Sequence, residues 1–81
     1  MSVSHRNKVV RSINAPGESR CVDVFRRPDG SFGFEEYRRD SEDARGWFPI
    51  GFYEAQVFDA AESALAAAQA KVPWLSDAIK G

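Results

Sequence analysis

Only one cysteine, Cys21, occurs in the 81 residues, so the chain forms no internal disulfide and no thiolate cluster for zinc. The single histidine, His5, lies in a polar N-terminal stretch, while Cys21 falls in mid-strand on the reading below. The two therefore make no nucleophile and base pair. Long apolar runs are also missing. The alanine-rich stretch from Ala60 to Val72 is interrupted by Glu62, Ser63, Gln69 and Lys71. It is far short of the ~20 residues that span a bilayer. The opening MSVSHRNK lacks the apolar core of a signal peptide. No membrane association and a soluble, cytoplasmic protein are expected.

Charge of one sign is lacking too. Residues 1–45 carry nine Lys/Arg against eight Asp/Glu, and residues 46–81 carry two against four, for a net charge of −1. The strongly basic footprint of a phosphate-backbone binder is absent. Gly30, Gly33 and Gly51 are scattered and open no helix, which excludes a phosphate loop. No catalytic residue, metal ligand or cofactor site is expected, and the chain reads as a non-enzyme.

What is present specifies a fold. Aromatics at 12% and charged residues at 28% are ordinary for a folded domain and argue against disorder. Residues 1–7 read as a flexible tail and 8–81 as a single small domain. The stretch CVDVFRRPDGSFGFEEYRR, Cys21 to Arg39, encodes a β-hairpin. Pro28 and Asp29 suit the central positions of a type I turn, and Gly30 suits the left-handed residue after it. That turn sets Arg27 against Ser31, then pairs Arg26 with Phe32, Phe25 with Gly33 and Val24 with Phe34. Asp23 then meets Glu35, Val22 meets Glu36 and Cys21 meets Tyr37. Alternation puts Val22, Val24, Phe32 and Phe34 on a core face. Cys21, Asp23, Phe25, Gly33, Glu35 and Tyr37 fall on the second face, with Phe25 lying across Gly33.

Trp47 to Tyr53 (WFPIGFY) reads as a further strand beside the second, at an edge or with a bulge at Pro49, which lacks a donor. Lys8 to Ile13 offers a short extra edge strand. The polar loop DSEDARG, 40–46, reads as solvated. A helix is expected over about 60–72, capped by Asp59 with Glu62 completing the box. Ala61, Leu65, Ala68 and Val72 form its apolar stripe. Pro73 stops it, and Trp74, Leu75, Ala78 and Ile79 fold back over the core as a short final helical turn. With so small a helix stripe, the bulky core side chains must come from the sheet: Phe32, Phe34, Phe48, Ile50 and Phe52. The fold class is α+β: a three-stranded antiparallel sheet, four-stranded if the N-terminal segment joins, with one C-terminal helix on one face.

Three features bear on function. Asp23 facing Glu35 is an unfavourable pair that binds a cation, shares a proton or receives an arginine from a partner chain, unless Arg11, Arg38 or Arg39 neutralises it or the register is off by one residue. Phe25, Tyr37, Trp47 and Tyr53 gather on the second face as a candidate interaction surface, unless Val9, Val10 and Ile13 cover it. The helix adds a strip of small residues, Ser63, Ala66 and Ala70, fit for another helix or for solvent. The expected function is a protein-interaction or regulatory module, with a protein partner or a second copy in a homodimer. The alternative is nucleic-acid binding through Arg26, Arg27, Arg38 and Arg39.

The three-strand layout followed by FDAAESALAAA, over about residues 20–72, resembles small bacterial β-β-β-α domains. It is similar in layout to plant-type AP2 domains and to phage-integrase amino-terminal arms. That resemblance implies a sheet presented to a DNA major groove, with basic and aromatic residues on its open face. Here Asp23 and Glu35 stand on that face, and Arg27 and Arg39 alone match.

Overall fold

A computed structural model of the chain describes residues 7–17, 19–39, 46–53 and 55–80. Residues 1–6 of the expected tail (1–7) and residues 40–45 of the polar loop lie outside the described residues. Four strands, β1 (Lys8–Asn14), β2 (Arg20–Arg26), β3 (Phe32–Arg39) and β4 (Trp47–Pro49), form one sheet in the order β1-β2-β3-β4. Every neighbouring pair is antiparallel. Helices α1 (Ala61–Lys71) and α2 (Leu75–Lys80) pack on one face, so the domain is α+β. Its shortest dimension, 18 Å, is one sheet layer plus one helix layer.

The hairpin follows its turn chemistry. The Arg27 amide donates to Ser31 O at 2.7 Å, Gly30 N donates to Arg27 O at 2.9 Å, and Gly30 takes φ +91. The Asp29 carboxylate accepts the Ser31 amide at 2.9 Å and its hydroxyl at 2.7 Å. The hydroxyl, then the amide, hold its pKa below the ordinary 3.8. The β2–β3 register is the expected one at every pair from Cys21↔Tyr37 to Arg26↔Phe32. A side chain on Gly33 would stand 2.9 Å from the Phe25 ring, so that glycine is the space in which Phe25 lies.

The core is Ile13, Val22, Val24 and Phe34 from the sheet with Ala64, Ala68, Val72 and Leu75 from the helical side. Trp74, Ala78 and Ile79 pack against it, as the folded-back C-terminal turn requires. Two tethers fix this layer. The Trp74 indole N–H donates to Glu36 Oε2 at 3.0 Å, and Arg20 pairs with the same oxygen at 3.7 Å.

Several expectations are corrected. The strand expected to run through Tyr53 ends at Pro49. Just beyond it the Ile50 amide still reaches β3, donating to Glu36 O at 2.9 Å. Gly51 lies against the Glu35 carboxylate, where a Cβ would approach an oxygen to 2.8 Å. Phe52 then takes φ +58 and is 79% exposed, so it is no core residue. Its place is taken by Tyr53, whose ring centroid lies 4.8 Å from that of Phe34. Ile50 is half-buried rather than buried.

Asp59 is not the cap of α1. Phe58 and Phe32 exchange backbone hydrogen bonds, of 2.8 and 2.9 Å. The chain stays extended through Ala60 (φ −145, ψ 155), which occupies the N-cap without a side-chain bond. The buried line is Ala64, Ala68 and Val72, with Ala61 and Leu65 packed beside it. Alanines at the contact let the helix lie close over Phe34.

The N-terminal segment joins the sheet as β1 instead of covering the second face. Val9 pairs with Phe25 and Arg11 with Val24, so Val10 is an extra, bulged residue. Ile13 turns to the core, while Val9 and Val10 stay exposed. The bulge, with Lys8 and Arg11, blunts an otherwise unpaired edge.

Candidate functional site on the open sheet face

Strand pairing arranges the helix-free face in rows. Val9, Phe25 and Gly33 make one, Ser12, Asp23 and Glu35 the next, then Asn14, Cys21, Tyr37 and Pro49, and last Arg39 with Trp47. Successive rows stand two residues apart, roughly 6.7 Å.

The first row is closed. Phe25 is 4% exposed, and the Arg27 guanidinium lies 5.1 Å from its ring centroid. Arg27 donates to Phe32 O and Gln56 O, each at 2.9 Å, and so ties the chain after β4 to the hairpin. The open space over Gly33 admits this side chain as well as Phe25.

In the second row the two carboxylates diverge. Asp23 turns toward β1 and accepts the Ser12 hydroxyl at 2.6 Å. Glu35, fully buried, turns toward the other edge, where it accepts Tyr53 N at 3.2 Å and Glu36 N at 2.8 Å. The facing pair is thus real, and amides and a hydroxyl solvate it rather than Arg11, Arg38 or Arg39. Glu35 replaces the strand that β4 stops supplying. Among the described residues no buried side-chain polar atom lacks a partner.

The third row is low, because Cys21 and Asn14 are small beside Tyr37. A concavity of about 370 Å³ results, with Cys21 and Tyr37 as its floor. Ser12, Asn14 and Asp23 line one side, and Arg39 and Trp47 the other. That volume is at the small end of ligand pockets, which run roughly 300–1,000 Å³. Arg39 lies 4.9 Å from the Trp47 ring centroid, and Trp47 is 39% exposed. The Cys21 thiol is pushed up to about 11, first by burial and then by the charges of Asp23 and Glu36. It is a protonated floor residue at neutral pH, not a nucleophile.

The four aromatic residues singled out from the sequence do not form one patch. Phe25 is buried beneath Arg27 and Tyr53 turns to Phe34 on the helix side, which leaves Tyr37 and Trp47 on the open face. The arginines separate as well. Arg26 and Arg38 point by alternation to the helix side, Arg27 is engaged at the hairpin turn, and Arg39 sits at the opposite end. Sequence reasoning missed Ser12 and Asn14 as lining residues, because the β1 register depends on the Val10 bulge. Comparison of the chain with protein families, curated proteins and solved structures finds no match in any of the three.

Proposed function

We propose that this is a small, cytoplasmic, non-enzymatic protein-interaction module that holds a segment of a partner protein on its open sheet face. The observation that carries the reading is the concavity floored by Cys21 and Tyr37, bounded by Asp23 on one side and by Arg39 on Trp47 on the other. It combines a half-exposed aromatic anchor and a guanidinium, side-chain types enriched at protein interfaces, with a carboxylate able to pair with a basic residue. Among the described residues no helix is long and apolar enough to cross a membrane. The nucleic-acid alternative is less well supported, since four arginines divided between two faces cannot track one phosphate backbone.

Panning a random peptide library on the folded chain tests this. Selected peptides should lose roughly thirtyfold in affinity on Tyr37→Ala or Trp47→Ala, as truncation of a ~2 kcal/mol aromatic anchor implies. Peptides indifferent to both changes, or no selection at all, would remove the proposal. A homodimer is the competing occupant, and sedimentation of the chain alone reports it.

A further inference from the structure

We infer that the Asp23 end of the concavity receives a basic side chain of the partner, an arginine in preference to a neutral residue. The inference rests on the reading of the open face as the binding surface and specifies its chemistry. Asp23 lines the concavity, half-buried, and its carboxylate is held by one neutral donor, the Ser12 hydroxyl at 2.6 Å on Oδ1. Among the described residues no cation pairs with it. The residue facing it in register is a second carboxylate, Glu35. A cation placed here is attracted, and a second carboxylate is repelled.

Geometry adds a preference for a planar cation. Tyr37 is diagonal to Asp23 across β2 and β3, at a spacing of about 7–8 Å that long side chains bridge. A guanidinium forked onto Asp23 therefore comes within reach of Tyr37, and the fork suits arginine's fixed planar donors. Arg39 borders the other side of the concavity, four residues along from the Asp23 row, with its guanidinium over the Trp47 ring.

The test is a titration of the ¹⁵N-labelled chain with N-acetyl-arginine amide and with N-acetyl-citrulline amide, which has the same shape without the charge. The arginine probe should shift the amide signals of Ser12, Cys21, Asp23 and Tyr37, with a dissociation constant on the order of millimolar. The citrulline probe should bind roughly fivefold more weakly. Asp23→Asn, which keeps the side-chain shape and the Ser12 contact, should bring arginine down to the citrulline level. Its dispersed amide spectrum would show that the fold is retained. Equal response to the two probes, indifference to Asp23→Asn, or no shift of these signals overturns the inference. The interaction reading survives those results if library peptides still require Tyr37 and Trp47, and it falls separately if they do not.

Discussion

Glu35 is a fully buried carboxylate whose hydrogen bonds in this structure go to two backbone amides, those of Tyr53 and Glu36. Both would be left without an acceptor in Glu35→Ala, at about 1–3 kcal/mol for each group that water cannot reach. The variant should lose about 2–4 kcal/mol in urea unfolding, and Glu35→Gln, which keeps one acceptor oxygen, should lose less. Equal loss in the two variants would mean that the charge, rather than the acceptors, holds the loop. Asp23 makes the contrasting case: its acceptor sites are only partly used and it lines open space. Of two acids facing each other, one is structural and the other is available to a ligand.

Among the elements, the hairpin was legible from sequence because each of its determinants is local: Pro28, Asp29 and Gly30 set the turn, the turn sets the register, and the register sets the faces. The segment after Pro49 was not legible. Whether Ile50 to Tyr53 continues the strand depends on Glu35 occupying the edge and on Gly51 giving it room, and both are tertiary facts. The cap of α1 shifted for a similar reason, since the Phe58–Phe32 pairing holds the chain extended past Asp59. The Cys21–Tyr37 floor followed from the hairpin register, whereas the wall formed by Ser12 and Asn14 needed the Val10 bulge. Two substitutions separate the core from the loop. Phe34→Ala should cost about 3–5 kcal/mol, because its side chain is wholly enclosed. Phe52→Gly should change stability by no more than about 1 kcal/mol and toward the stable side: it relieves a left-handed conformation costing about 1–2 kcal/mol and gives up little burial. Thermal unfolding of the two variants reads the contrast, and a loss above about 2 kcal/mol for Phe52→Gly would show that its ring packs.

As a whole, the molecule is a sheet with its core on one side and its accessible chemistry on the other. Helices, tethers and apolar side chains converge on the Phe34 side. The opposite side is sealed at the hairpin end by Phe25 beneath Arg27 and stays concave toward Tyr37 and Trp47. Its edges are poor templates for strand addition, because β1 carries a bulge and β4 is three residues long and ends in proline. The proposed recognition therefore falls to side chains on the face rather than to backbone at an edge. Mapping a library-selected peptide onto the ¹⁵N-labelled chain by amide shift changes tests this most directly. The account predicts that the largest changes fall on Ser12, Cys21, Asp23, Tyr37 and Trp47. Changes concentrated instead on the exposed loop at Phe52 and Val57, or on the β1 edge at Val9 and Val10, would contradict it.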